Sequence, residues 1–301
     1  MHKYSEKKLI ELGIKVADSA LCDEDRIWSR YSNDKVDIGL KLAKVIRVLS
    51  KEFPLDKSFR ALSIGSSAEP QFRILDTAFC GGLYLLDIDK DALCVIKERI
   101  RRQCTKHVFT IKKDYNKIFL NADSTRDFVK NKLGGEKVEL ITLHHSLYYS
   151  QKTNWEKIFE NLYRYVLAPK GAIHAVLMSA KSKKHNTSTW VYNYFAGKFC
   201  GCHNDQDLYA LKNQLNKNFS FNNSQVLIKT SHVKFCVNDF EKLMAVVWMV
   251  LLCPGIHKYT FSQKESIVKY IYKYFWQSEK PLIQDQDHLV LYRGIAFKGV
   301  I

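Results

Sequence analysis

Between residues 58 and 180 short apolar runs alternate with stretches of helical periodicity, and on either side of that window the alternation lapses. Ala61, Leu62 and Ile64 form the first run and Gly82 to Leu86 the second. Val138 to Ser150 opens with another, and a further run leads up to Ser179. Strands alternating with helices build a largely parallel sheet, so an α/β domain is predicted here. Residues 1–53 read instead as helices. Glu6 to Ser19 is the first, and Asp37 to Phe53 spaces Ile38, Leu40, Leu42, Val45, Ile46 and Leu49 so that one face is buried. Residues 181–224 are polar and aromatic, with Trp190, Tyr192, Tyr194, Phe195, Phe199 and Tyr209 among them. A strand at Gln225 to Lys229, helices at Asp239 to Leu252 and Gln263 to Trp276, and a last strand at His288 to Phe297 complete the pattern. The predicted divisions are a helical segment 1–53, a core 54–180, an insertion with late core elements 181–285, and a final strand within 286–301.

The first strand runs into Gly65, Ser66 and Ser67, where small side chains let a ligand approach the backbone. The second ends in Asp87, followed by Ile88, about twenty residues on, where folds of this kind bind ribose hydroxyls. Taken singly, a Gly-Ser-Ser is an ordinary turn and an acid after a strand is a helix cap. Paired at this spacing, they outline a nucleoside-cofactor site.

Three later segments follow in order: Phe-Leu-Asn-Ala-Asp-Ser-Thr-Arg-Asp at 119–127, Val-Glu-Leu-Ile-Thr-Leu-His-His-Ser-Leu-Tyr-Tyr-Ser at 138–150, and a helix with a Leu-Ala-Pro-Lys-Gly turn and strand at 163–179. Together with the first pair they resemble class I S-adenosylmethionine-dependent methyltransferases. The resemblance implies a Rossmann-like, largely parallel seven-stranded sheet with helices on both faces, N-terminal helices acting as a lid, and a helical and aromatic cap insertion. It implies S-adenosylmethionine as cofactor, held by Ser63, Gly65, Ser67, Glu69, Asp87, Ile88, Asp123 and Ser124, with Leu143 and His144 lining the methyl end and Arg30 and Tyr31 in the lid. Two departures stand out: Ser63 occupies the place of an acid and Ser67 that of a glycine. Glu69 either supplies the missing contact or begins the next helix. The arrangement is most similar to the histamine N-methyltransferase group, through Leu62-Ser63-Ile64-Gly65, Leu147-Tyr148-Tyr149 and Ser179. In that group the long segment after the fifth strand caps a small-molecule pocket, which implies methyl transfer to a small amine or hydroxyl.

Such a transfer is an in-line displacement that needs alignment, exclusion of water and a place for a proton. His144 and His145 stand where the fourth strand opens toward the methyl group, and a histidine accepts a proton near neutral pH. His144 is read as the lining residue and His145 as its support, the roles exchanging if the strand ends at Leu143; structural hydrogen bonding by both is the alternative. Tyr148 and Tyr149 offer ring faces to a cation, or pack as core aromatics.

The formal net charge of +16 draws attention to nucleic acid, but the excess is spread along the chain. Lys97, Arg99, Arg101, Arg102 and Lys106 read as a solvated helix face. Lys181, Lys183, Lys184 and His185 follow the fifth strand, where they would meet an anionic substrate if they are not simply solvated. Cys200-Gly-Cys202-His203 lacks metal-ligand spacing, so no metal is expected. Eight cysteines without a paired framework, and an N-terminal stretch without a secretory apolar segment, point to a reducing cytoplasm. The longest apolar run, Leu243 to Cys253, is far shorter than the ~20 residues that span a bilayer, and reads as a buried helix. An RNA or protein methyltransferase and a noncatalytic cofactor-binding subunit stay as alternatives. No feature of the sequence speaks to oligomeric state.

Overall fold

The computed structural model describes residues 4–18, 21–54, 56–252, 255 and 258–295. Residues 1–3 of the N-terminal stretch, residue 19 of the first expected helix, residue 253 of the apolar run, residues 254, 256 and 257 of the insertion, and residues 296–301 of the last strand lie outside the described residues.

Seven strands form one sheet: β1 (Arg60–Ile64), β2 (Gly82–Asp87), β3 (Val108–Lys112), β4 (Val138–His144), β5 (Leu167–Met178), β6 (Ser224–Phe235) and β7 (Leu282–Arg293), in the order β3-β2-β1-β4-β5-β7-β6. From β3 across to β5 every neighbouring pair is parallel. The chain winds outward from β1 to β3 and then returns to place β4 on the other side of β1. Ligands of open α/β sheets bind beyond the carboxyl ends of the strands at such a reversal.

The chain divides into two compact units, residues 38–177, 208–230 and 287–301 in one and 1–37, 178–207 and 231–286 in the other. In the first, alternation along the strands sends side chains to two cores. Ala61, Leu83, Leu85, Leu140 and Ala172 pack with Leu42, Val45, Leu49, Phe72 and Leu75 on one face. Leu62, Ile64, Leu86, Ile141, Leu143 and Ile173 pack with Phe119, Phe128, Trp155 and Phe159 on the other. Burial on both faces is why these strands read as continuous apolar runs.

These divisions differ from the expected ones. Residues 38–53 go with the sheet because Leu42, Val45 and Leu49 are buried against it, and 208–230 do so because Leu208, Leu211, Leu215 and Phe221 join its core. The helix expected at Asp37 to Phe53 is Asp34–Ser50, and the last strand begins at Leu282, six residues before the expected His288. Its early residues, Gln284 to Asp287, are polar and buried, which hid them from a search for apolar alternation.

The second unit has its own core, in which helices Glu6–Lys15, Ser188–Cys200, Phe240–Val250 and Phe261–Ile271 bury Leu9, Phe195, Met244, Trp248 and Ile267. The expected buried helix is thus present, and the Trp248 indole donates to the Gly13 carbonyl at 2.9 Å. Among the described residues no helix is long and apolar enough to cross a membrane. The insertion's aromatics divide: Phe195 is buried, whereas Trp190 and Tyr194 stack on each other with rings 4.7 Å apart and Tyr194 exposed.

Candidate cofactor and acid-base site

Beyond β1 the backbone turns sharply, with Gly65 in the left-handed region at φ +66°. The N–H groups of Gly65 and Ser66 both donate to the Leu86 carbonyl, at 2.8 and 3.2 Å, which ties the turn to the end of β2. Asp87 completes the tie. One carboxylate oxygen accepts from the Ser67 N–H at 2.7 Å and the other from the Asp89 N–H at 2.8 Å, leaving lone pairs on both for hydroxyl donors. Ile88, next in the chain, is 65% exposed.

Ser67 and Glu69 are also in the left-handed region, at φ 45° and 46°, where a side chain costs energy. Glu69 neither opens the helix Phe72–Ala78 as its first residue nor points to solvent. Its carboxylate is buried, accepts from the Ser63 hydroxyl and caps the Gln71 N–H at 3.1 Å. The Glu69 carboxylate thereby meets the Ser63 side chain of β1 from six residues downstream. Burial pushes the Glu69 carboxyl up to about 7, against the pull of Ser63, the Gln71 N–H and Arg99. Arg99, expected on a solvated helix face, reaches back instead to the carbonyls of Ala68 and Glu69, both at 3.4 Å, and lies over the Phe72 ring at 4.8 Å. Arg101 and Arg102 do face outward and pair with Glu98.

The expected adenine-side acid is displaced. Asp123 is not in the loop after β3 but in the first turn of helix Ala122–Lys132, where its exposed carboxylate pairs with Arg126 at 2.6 Å. The segment read as a loop is a helix start, because Asn121 accepts from the N–H groups of Asp123 and Ser124. The Ser124 hydroxyl is spent on the Ile118 carbonyl at 2.8 Å. The acid that does follow β3 is Asp114, two residues beyond Lys112, capping the Asn116 N–H at 2.9 Å. A strand of Val-Phe-Thr-Ile-Lys ending in Lys-Asp was the sequence signal for it.

At the end of β4 the alternation of side chains separates the expected residues. The Leu143 side chain is wholly buried in the core of one face, whereas half-buried His144 points to the other. Register places Ser63 of β1 opposite Thr142 of β4, so His144 comes level with Gly65. His145 turns through φ 56°, its N–H held by the Val176 carbonyl at 2.9 Å and its ring stacked on Tyr148 at 5.9 Å. Tyr149 is exposed. Ser146 packs directly on the turn at Gly65, and its carbonyl accepts from the buried Tyr115 hydroxyl at 2.9 Å. The hydroxyl oxygens of Ser66 and Ser146 are buried without a hydrogen-bond partner among the described residues.

The remaining sequence candidates belong to the other unit. Arg30 and Tyr31 end the helix Leu21–Tyr31, with the guanidinium 5.7 Å from the Tyr31 ring centre and the Lys242 ammonium 5.5 Å from it. Lys181 pairs with Asp207 at 3.3 Å, and His185 stacks on Trp190 at 4.6 Å. His203 packs its ring against Gly197, where a Cβ would come within 2.5 Å.

No protein-family model and no curated protein sequence matches the chain. Solved structures do. The YcgJ protein from Bacillus subtilis is 10% identical, over 83% of this chain and 98% of its own, with a TM-score of 0.52. The Bacillus halodurans protein BH2331, described as a candidate methyltransferase, is 12% identical over 83% of this chain and 99% of its own, with a TM-score of 0.51. At such identities the likeness establishes the fold: the Rossmann-like α/β sheet of methyltransferase structures.

Proposed function

We infer that this chain is an S-adenosylmethionine-dependent methyltransferase whose acceptor is a small-molecule amine or hydroxyl, in the manner of the histamine N-methyltransferase group that its sequence resembles. The observation that carries the reading is Asp87, which braces the cofactor turn through the Ser67 N–H while standing at the end of β2, beside the reversal of strand order. The site suits a nucleoside. Orphaned hydroxyls at Ser66 and Ser146 await partners, Asp87 has lone pairs for ribose hydroxyls, and exposed Ile88 offers an apolar face for a base. Asp114 takes the place expected of Asp123 as the acid beyond β3.

When bound, the cofactor supplies a methyl group on an electrophilic sulfonium. The protein's part is to orient and to handle a proton. Asp87 and the turn fix the nucleoside end, Tyr148 and Tyr149 present ring faces that attract cations, and His144 stands level with Gly65 as the acid-base group.

Two measurements test this. Calorimetric binding of S-adenosylmethionine should weaken in Asp87→Ala by about 2 kcal/mol, roughly thirtyfold, the worth of hydrogen bonds to a charged acceptor; unchanged affinity would reject the ribose assignment. Methyl-labelled cofactor incubated with fractionated cell extract at physiological salt should label the small-molecule fraction. Label found only in RNA or protein would overturn the acceptor class, and binding without any label would leave a cofactor-binding subunit.

A further inference from the structure

One face of the sheet changes character along its strands. Toward the amino ends of β1, β4 and β5 it is apolar, with Ala61, Leu140 and Ala172, but two residues further on the register brings Ser63, Thr142 and His174 side by side, all buried. His174 is the centre of a chain of imidazoles. Its Nδ1 lies 3.1 Å from Nε2 of His144 on β4, and its Nε2 lies 3.3 Å from Nδ1 of His288 on β7. The His174 and His288 rings are stacked at 5.5 Å, and those of His144 and His174 meet edge to face at 4.8 Å. His174 has no exposed surface and His288 is 3% exposed, while His144 is half-buried at the carboxyl edge of the sheet.

We propose that His144 is the acid-base residue of methyl transfer and that His174 and His288 are positioning residues that hold it in the tautomer with its proton on Nε2 and its lone pair on Nδ1. The proposal rests on the methyltransferase reading above. The argument is one of hydrogen-bond direction. A neutral imidazole has one donor and one acceptor, so a chain of three can run only one way or the other. If His174 donated from Nδ1, it would occupy the Nε2 lone pair of His144, and His144 could gain a proton only by keeping N–H on Nδ1 and breaking the chain. Run the other way, His144 donates from Nε2 to His174, and His174 donates from Nε2 to His288. Nδ1 of His144 is then the basic atom, and protonating it strengthens the Nε2–H bond behind it.

His174 is suited to this passive role because it stays neutral. Burial lowers its basicity, and His144, His288 and Lys41, the titratable groups that face it from β4, β7 and the helix over this face, lower it further. A proton taken at His144 therefore stays there instead of moving inward. In the transfer, the acceptor forms its bond to the methyl carbon as the carbon–sulfur pair leaves with sulfur, and the acceptor's proton goes to Nδ1 of His144.

Nitrogen-15 spectra of the full chain, labelled at histidine, read the tautomer directly. Wild type should show His144 with a bare Nδ1 and a protonated Nε2, and His174 neutral at a pH below the ordinary imidazole range. His174→Phe should leave His144 a mixture of tautomers and slow label transfer to the small-molecule fraction about tenfold. His174→Asn, whose amide oxygen can still accept from His144, should restore both. His144→Gln should slow transfer about a hundredfold, the lower end for a general base. Cofactor affinity should be unchanged in both His174 variants, which confirms folding. His144 protonated on Nδ1 in wild type, or a His174→Phe variant with unaltered tautomer and rate, overturns the proposal. Failure of wild type to transfer any label overturns the methyltransferase reading instead, while the spectra still decide the direction of the chain.

Discussion

Glu69→Gln is expected to stabilise the protein by about 3 kcal/mol at pH 8 and to change nothing near pH 4. The sign follows from the direction of the shift. Burial raises the carboxyl from 4.5 to about 7, so between those values the folded chain holds a proton that the unfolded chain has lost. Unfolding then releases a proton, and stability falls by about 1.4 kcal/mol for each pH unit through that window, after which the deficit is constant. Glutamine keeps the neutral form at every pH. Its amide oxygen can accept from the Gln71 N–H and its NH2 can donate to the Ser63 hydroxyl oxygen, so both contacts of the carboxylate have a counterpart. Urea unfolding at both pH values measures the difference, and an equal effect at each would mean that Glu69 ionises like an exposed carboxyl. An ammonium bound near Glu69 would draw its pKa down and release a proton on binding, which calorimetry in buffers of different ionisation enthalpy detects.

The parts of the fold that were legible in the sequence are those in which local pattern and global burial agree. β1, β2 and β4 carry apolar runs because helices cover both faces, and the turn after β1 with Asp87 at the end of β2 shows as small residues and an acid at fixed spacing. Asp123 misled for a local reason: an Asn-Ala-Asp-Ser segment is polar like a loop, yet Asn121 makes it a helix start. Arg99 was one of five cations in a run, and nothing in the run distinguishes the one that turns inward under the Ala68 and Glu69 carbonyls. The histidine chain was beyond local reading altogether. His144, His174 and His288 are separated by 30 and 114 residues and meet only because the register of three strands brings them together. A histidine inside the apolar run Ala-Ile-His-Ala-Val was visible, but a lone buried histidine has many uses. The division into compact units follows burial instead: residues 38–50 of helix Asp34–Ser50 group with the sheet by what they bury, not by where they lie in the chain.

Gly65→Ala should be the more damaging change, costing about 4 kcal/mol and taking cofactor binding with it. Two independent penalties add. The backbone at φ +66° costs an alanine about 1 to 2 kcal/mol. The new Cβ would also lie 2.3 Å from Cβ of Ser146, and relieving that overlap means moving the start of the loop after β4, at about 1 to 3 kcal/mol. Gly134 separates the two terms. It has nearly the same backbone, φ +69°, with nothing within 4 Å of its hypothetical Cβ, so Gly134→Ala should show the backbone cost alone. Ser146→Gly placed on Gly65→Ala should recover most of the steric part, a coupling of about 1 to 3 kcal/mol between residues in contact. Denaturant unfolding of these variants decides the matter: if Gly65→Ala cost no more than Gly134→Ala, the turn and the β4 loop would not be in contact. Because the Gly65 and Ser66 N–H groups are what tie this turn to the Leu86 carbonyl beside Asp87, a displaced Ser146 shifts Asp87's partners as well. Cofactor affinity should therefore fall in Gly65→Ala even under conditions where the chain is fully folded, and should be untouched in Gly134→Ala.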